Sequence, residues 1–270
     1  PQVAGRPVNL LLGLQTFHPF AYCPSWGELG FLPVTERVSR MRDPELRARL
    51  LAEAGQNDPA FAQFLDPERI FPMAPEPNYE PPKDTSLAAQ GRREGRTSDE
   101  VFYDRLMEED GESLVMRPLL NYTDFNLDAV REMLLHPTTT WGLGDGGAHC
   151  GTTCDASTPT SMLAWWARDR DHDRLPLEFV VQTMTSSTAS LVGLSDRGTL
   201  QPGKLADVNL IDFEGLRLPR PQMVHDLPGG ARRFVQSSSG YVATVKRGEV
   251  VLRDGADQGA RPGELVRGSR

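Results

Sequence analysis

Residues 138–149 read TTTWGLGDGGAH, and this stretch indicates the fold class. Residues 138–143 are β-branched or apolar, which is typical of a strand. Glycines surround Asp145 directly after it, and glycine lets a backbone turn sharply or approach a ligand closely. Outward from this stretch, strand patterns alternate with helix patterns up to about residue 190. The alternation predicts an α/β body with a parallel sheet, in which chemistry lies at the carboxyl ends of the strands.

Local signals predict where several elements begin. Asp43 followed by Pro44 predicts a helix start, and Thr97 with Glu100 three residues later is a capping-box pattern. Asn126 is a predicted N-cap. Two apolar runs, residues 6–15 and 114–120, are predicted strands.

The sequence pattern changes after about Gly198, where apolar runs become short and turn residues become frequent. Val245 and Val250 flank Arg247-Gly248, a predicted hairpin turn. We therefore expect a small β unit appended to the α/β body, with the boundary near residues 193–200. The other predicted strands of this unit are residues 206–212, 231–236, 241–247 and 249–253.

Composition excludes several classes of protein. The 270 residues are 39% hydrophobic and 24% charged, with a formal net charge of −8. Such a chain can bury a core, and a disordered or fibrous protein is excluded. The acidic balance argues against nucleic-acid binding, which needs clustered cations facing phosphates. No apolar run reaches the roughly 20 residues that span a bilayer, so we expect no membrane partner.

The cysteines indicate the cellular compartment, and the first residue indicates how the chain relates to a longer protein. The three cysteines, Cys23, Cys150 and Cys154, are too few and odd in number for a disulfide framework, so we expect a reducing compartment, the cytoplasm. The chain begins with Pro1 and enters a strand-like run at once. We therefore expect it to be the later part of a longer protein.

Asp145 is the strongest candidate for chemistry. A carboxylate in a glycine loop at the end of a strand can ligate a metal or take a proton from a bound water. The alternative is an ordinary Asp-Gly turn, which is common.

A second group follows Asp145 along the chain. His149, Cys150, Cys154 and Asp155 are residue types that bind zinc, but Cys-x3-Cys is a weak zinc spacing and no second pair accompanies it. Sparse cysteines are more often buried small hydrophobic residues. His149 alone, in a strand-end loop, is a candidate for substrate contact. The remaining histidines, which are weaker candidates at element ends or in polar loops, are His18, His136, His172 and His225.

Two stretches together resemble a known family. One is GLGDGGAH at residues 142–149, followed by CDAS at 154–157 and WWARDR at 165–170; the other is RGTLQPGKLADVNLID at 197–212. The second is similar to the barrel-exit signature of the amidohydrolase superfamily. The details resemble its N-acyl-D-amino-acid deacylase branch, amidohydrolase family 3. Shorter similarities lie at residues 79–81, 226–233 and 240–244.

The resemblance implies the C-terminal part of a (β/α)8 TIM-like barrel over residues 1–195 and a small β-sandwich portion over 196–270. It implies a hydrolase of linear, non-peptide C–N bonds that uses a divalent metal, usually Zn²⁺. Asp145 matches the aspartate that contacts the metal and shuttles the proton, which makes it the expected catalytic residue. Gly146, Gly147 and His149 are expected to shape the substrate side of the loop. The expected partner is a small N-acyl amino acid or a related amide.

The chain also departs from that family. The His-x-His pair, the bridging ligand and the two later histidines of the family have no counterpart here, so we expect this part alone to lack most metal ligands and to be inactive. A cyclic-amide hydrolase of the hydantoinase or dihydroorotase type is the alternative enzyme. A non-catalytic subunit or remnant is the alternative from another class.

Overall fold

The computed structural model describes residues 1–56, 58, 63–143, 147 and 149–267, which form a mixed α/β structure. The strands are β1 Gln2–Ala4, β2 Val8–Leu12, β3 Phe71–Pro72, β4 Val115–Leu120, β5 Thr140–Gly142, β6 Val208–Ile211, β7 Gln222–Leu227, β8 Ala231–Val235, β9 Tyr241–Lys246, β10 Glu249–Arg253 and β11 Ala256–Asp257. The α-helices are α1 Val34–Met41, α2 Pro44–Ala54, α3 Leu87–Glu94, α4 Ser98–Met107, α5 Asp128–Leu135, α6 Thr158–Ser161, α7 Leu177–Gln182 and α8 Thr188–Leu191. Two π-helical segments, Met162–Asp169 and Thr183–Ser187, continue α6 and α7. The short 3-10 helices are Pro19–Tyr22, Pro24–Trp26, Leu29–Phe31, Pro67–Arg69, Lys83–Thr85, Glu108–Gly111 and Pro228–Gly230.

Two of the three predicted helix starts are confirmed. Asp43 accepts a hydrogen bond from the backbone N–H of Glu45 at the start of α2. At the start of α4 the Thr97 hydroxyl accepts from Glu100 N, and the Glu100 carboxylate accepts from Thr97 N, which completes the capping box. At α5 the N-cap is Leu127, so the prediction of Asn126 as the N-cap is wrong by one residue; the Asn126 side chain accepts from the N–H of Asp128, the first residue of the helix.

The sheet pairing differs from the parallel sheet that the sequence predicts. Among the described strands, only β1 and β5 pair in parallel, with Ala4 opposite Gly142. In the three-stranded sheet β2-β4-β3, both neighbours of β4 run antiparallel to it. A single crossover helix returns the chain to the same end of a sheet and produces parallel neighbours. The connection from β2 to β4 contains four described α-helices, so that constraint does not act here.

Two buried clusters enclose the β2-β4-β3 sheet. Leu12 and Val115 belong to one cluster, whereas Leu11 and Met116 belong to the other. Successive residues of a strand point to opposite faces, so this sheet is covered on both sides. The first cluster packs α1, α2 and α4 against the sheet, and the second includes Trp166 of the π-helical segment after α6.

The C-terminal part is built from antiparallel strands. The predicted pairing of Val245 with Val250 is confirmed, and β6, β9, β10 and β11 form one sheet. Arg247 and Gly248 both have positive φ, as the short hairpin turn between β9 and β10 requires. The strand β7, which pairs with β8, was not predicted; His225 therefore lies in a strand and not in the expected polar loop.

Among the described residues, no helix combines the length and the apolarity that crossing a bilayer requires.

Candidate active site

Asp145 and Gly146, two of the four residues expected at the site, lie outside the described residues. The strand that precedes them in the sequence, β5, is described. β5 ends at Gly142, beside Ala4 at the end of β1. Because the two strands are parallel, the segments that follow them leave at the same edge. Gly5, after β1, therefore lies at the same edge as Leu143, the first residue after β5.

The loop of residues 149–156, which we call the strand-end loop, is tied to two strands. The N–H of Leu11 in β2 donates to Thr152 O at 2.8 Å. The N–H of Phe234 in β8 donates to Cys150 O at 2.6 Å. These backbone bonds hold the loop between the central sheet and the β7-β8 hairpin.

His149 and Gly147 are both exposed. His149 has a φ of +52°, and its carbonyl accepts the N–H groups of Thr152 at 2.7 Å and Thr153 at 2.9 Å. The backbone of His149 thus builds the first turn of the loop. Its contact with substrate stays a prediction.

The strand-end loop borders a cavity of about 460 Å³, which we call the loop cavity. The cavity lies between the loop and the β7-β8 hairpin. Gly147 lines it, so one of the expected site residues faces a space large enough for a small molecule. The other lining residues are Cys150, Thr153, Cys154, Asp155, Ala156, Leu227, Arg233, Phe234, Val235 and Gln236.

A buried polar cluster behind the loop was missed from the sequence. Arg6 is 2% exposed. Its Nη1 donates to Ser161 Oγ at 3.0 Å, its Nη2 donates to Cys154 O at 2.6 Å, and Nη2 lies 3.6 Å from Asp155 Oδ1. The guanidinium carbon lies 4.2 Å from the ring centroid of Tyr79. The sequence signal for this cluster was Arg6 at the start of the apolar run of residues 6–15. An arginine buried together with such a run needs polar partners.

Tyr79 joins this cluster to the hairpin. Gln236 Nε2 donates to the Tyr79 hydroxyl at 3.0 Å, and the Ser157 hydroxyl donates to Gln236 Oε1. Burial raises the pKa of Tyr79, so the phenol stays protonated at neutral pH. The short similarity at residues 79–81 therefore includes a side chain of the cluster.

One cysteine of the loop, Cys154, does not have the character of a metal ligand. Burial raises the pKa of Cys154 to about 11, and Arg6 offsets only part of that rise. Zinc binds the thiolate, whereas this cysteine is a thiol at neutral pH.

Two carboxylates and a histidine lie close together elsewhere in the structure. Ligand atoms of Glu80, Asp128 and His172 lie within 4.8 Å of one another. Arg170 Nη2 lies 2.9 Å from Glu80 Oε1 and 2.5 Å from Asp128 Oδ1. A guanidinium thus already provides the positive charge between these carboxylates.

The Glu80 oxygens are also saturated by other donors. Leu127 N–H donates to Oε1 at 2.8 Å, and Trp165 Nε1 donates to Oε2 at 2.9 Å. A divalent cation would have to displace these donors and lie next to Arg170. The described residues of this cluster therefore fit a guanidinium and do not fit a metal ion.

A model of the amidohydrolase family matches residues 85–252, more than half of the chain. No curated protein matches the sequence.

Solved structures of D-aminoacylase are similar to the chain. One, described as defining a novel subset of amidohydrolases, has 21% identity and a TM-score of 0.38, over 71% of this chain and 36% of that one. A second, from work on the role of its binuclear metal center, gives the same values. A mutant in complex with copper chloride has 19% identity and a TM-score of 0.37, over 87% of this chain and 46% of that one. The chain thus spans less than half of the length of these structures.

The family match includes the glycine loop around Asp145, the strand-end loop and most of the C-terminal strands. On this match, the chain belongs to the amidohydrolase family.

Proposed function

We propose that the chain is the C-terminal part of a metal-dependent hydrolase that cleaves linear, non-peptide C–N bonds, with N-acyl-D-amino acids or related amides as substrates. The observation that carries the proposal is the family match over residues 85–252, which contains Asp145. Residues 1–195 would belong to a barrel and residues 196–270 to a β-sandwich. The parallel β1-β5 pair and the antiparallel β6-β9-β10-β11 sheet support this division. A cytoplasmic location stays a prediction from the cysteines.

Asp145 is the proposed general base and acid. Its carboxylate takes a proton from the water that attacks the amide carbon. It then returns that proton to the nitrogen of the departing amine. A single positioned carboxylate can do both because the two steps occur in sequence at neighbouring atoms.

Gly147 and His149 belong to the proposed substrate side of the site, with Gly146. The loop cavity supports this assignment, because Gly147 lines it and the strand-end loop is held in place by β2 and β8. A glycine on a cavity wall leaves room for a substrate group to approach the backbone.

The proposed metal, Zn²⁺ or another divalent ion, would polarise the amide carbonyl. Asp145 is the one contact to it that we propose from this chain, since the described Glu80, Asp128 and His172 group fits a guanidinium. The other ligands would be supplied by residues outside this chain. The proposal therefore concerns the longer protein, and this part alone would be inactive.

The test uses the full-length gene product, with bound metal measured on the same samples. We expect release of amine from an N-acyl-D-amino acid and a loss in kcat of about 10²- to 10⁴-fold for Asp145→Asn. Asp124→Asn, an exposed aspartate before α5, is the matched control and should keep normal turnover. Normal turnover in Asp145→Asn would overturn the assigned role. Turnover of a cyclic imide but not of the linear amide would overturn the proposed substrate class.

A further inference from the structure

The β7-β8 hairpin stands apart from the other sheets of the molecule. Among the described strands, β7 and β8 pair only with each other. Phe234 is the buried residue of the two strands, and the other residues are half-buried or exposed. A two-stranded hairpin is marginally stable by itself, so its position depends on its contacts with the rest of the protein.

Two cavities border Phe234. One is the loop cavity, between the hairpin and the strand-end loop. The other, of about 370 Å³, lies between the hairpin, the end of β2 and the start of β4, where Gln15, Gly111 and Leu114 line it. Phe234 lines both spaces. A side chain bordered by open space makes fewer packing contacts than one enclosed in a core, so the hairpin is loosely packed at this point.

The base of the hairpin is firmly attached. Before β7, the N–H of Arg220 donates to Pro75 O at 2.8 Å, and the Arg220 guanidinium forms an ion pair with Glu109. After β8, Gln236 Nε2 donates to Pro219 O at 2.6 Å, and the same side chain belongs to the buried polar cluster behind the loop. The two ends of the hairpin are therefore joined to each other and to the body.

The hairpin is also firm within itself. Arg233 Nε and Nη2 donate to the two carboxylate oxygens of Asp226, each at 2.7 Å, from one strand to the other. The turn between the strands has Gly229 and Gly230 at positive φ, which glycine adopts without strain. A strand pair with a cross-strand ion pair can move as one unit.

Beyond its base, the hairpin rests on the strand-end loop. The N–H of Phe234 donates to Cys150 O at 2.6 Å. Arg232 lies across Gly151, where a Cβ atom would be 3.8 Å from Arg232 Nε. Burial, followed by the charge of Arg232, lowers the pKa of Arg37 in α1. The two guanidinium groups therefore lie near each other, and their repulsion opposes the closed position of the hairpin.

We propose that the β7-β8 hairpin is a movable flap over the loop cavity. It swings as one unit about the base between Arg220 and Gln236, and the bond from Phe234 N–H to Cys150 O breaks when it opens. Opening gives a ligand access to Gly147 and the strand-end loop, and closing covers them. The motion goes beyond the proposed function, and its test requires no turnover.

The test measures amide hydrogen exchange of the full-length gene product at single-residue resolution, in buffer and in sub-denaturing urea. After correction for intrinsic rates, we expect the Phe234 amide to exchange about 10-fold or more faster than the amides that pair β7 with β8. Its rate should be nearly independent of urea, because swinging exposes little surface. The amide of Leu11 in β2 should instead exchange through an opening that urea promotes.

Phe234→Ala removes the side chain that packs between the two cavities. It should raise the exchange rate of the amide of residue 234 by about a further 10-fold and leave the Leu11 amide nearly unchanged. His225→Ala, at an exposed position of β7, is the matched control and should change neither rate by more than about 2-fold.

Equal protection of the Phe234 amide and the amides of the β7-β8 pair would overturn the inference, because the hairpin would then unfold locally and not swing. The same urea dependence for Phe234 and Leu11 would overturn it as well, because opening would then require unfolding of the body. If Phe234→Ala does not fold, these two comparisons within the unsubstituted protein decide.

Discussion

Arg170 and Glu80 form a bidentate ion pair inside the protein. Nη2 lies 2.9 Å from Oε1 and Nε lies 2.9 Å from Oε2. Arg170 is fully buried and the Glu80 side chain is 7% exposed. The pair connects the loop before α3 with the end of the π-helical segment, and Asp128 contacts the same guanidinium from the solvent side.

Glu80→Gln should destabilise the protein by about 3–5 kcal/mol, because it leaves a buried guanidinium with an incomplete partner. Urea unfolding at pH 7 measures the change in the free energy of unfolding. Asp128→Asn is the matched control, because it removes a partner of the same arginine whose side chain is 58% exposed. It should lower the free energy of unfolding by about 1 kcal/mol or less. Equal losses in the two variants would contradict the assigned difference in burial.

Thr97→Ala should lower the free energy of unfolding by about 1 kcal/mol, because it removes the hydroxyl that accepts from Glu100 N. Thr97→Ser keeps that oxygen and should recover most of the loss. Thermal or urea unfolding of the unsubstituted protein, Thr97→Ala and Thr97→Ser measures these differences. A serine variant as unstable as the alanine variant would mean that the methyl group, and not the cap, is responsible.

His18 should make stability depend on pH. It is 2% exposed, and its ring centroid lies 4.3 Å from that of Trp26. Burial, followed by the charge of Arg37, lowers the pKa of His18 from 6.5 to about 3. At a pH between these two pKa values, His18 is protonated in the unfolded chain and neutral in the folded protein. Stability is therefore complete above pH 6.5 and falls as pH decreases towards 3.

The measurable effect is the difference between pH 7 and pH 5. His18 should contribute about 2 kcal/mol to the stability lost over this interval. His18→Gln should remove that contribution, whatever its effect at pH 7. Urea unfolding of both proteins at the two pH values gives the comparison. An identical pH dependence would show that His18 is accessible to protons in the folded state.

The cysteines should label slowly in the folded protein. Burial raises the pKa of both Cys23 and Cys154 to about 11, so few of these thiols are thiolates at pH 7.5. With a chromogenic disulfide reagent and a Cys150→Ser protein, we expect labelling at least 10-fold slower in buffer than in 6 M urea (about the concentration that unfolds a domain of this size). Equal rates would contradict the burial of both thiols.

Local signals predicted the helices well. Asp43 with Pro44, and Thr97 with Glu100, act through neighbours within one turn, so the sequence contains the whole interaction. Asn126 shows the limit, because the predicted cap residue lies one position before the N-cap, Leu127.

Pairing between distant strands was harder to predict. The direction of β4 against β2 depends on the path of the long connection between them, and no local pattern encodes that path. The same holds for Arg6, whose partners Cys154 and Ser161 are remote in the sequence. Asp145 was found from the glycines around it and from the resemblance to a family, whereas the Arg6 cluster behind the strand-end loop became visible only in three dimensions.

The parallel pairing of Gln2 with Thr140 has a consequence for how the chain acquires its shape. Contacts between residues this far apart in the sequence require a long loop to close. The entropy of loop closure is lost before the contacts stabilise the structure, so such contacts form late in folding. The antiparallel β9-β10 hairpin, which is local, should form early. Refolding followed by pulse-labelling hydrogen exchange should therefore protect β9 and β10 before β1 and β5. The edge at which Gly5 follows β1 and Leu143 follows β5 is then among the last parts to be completed, and slowed docking of β1 would delay its completion without loss of helix.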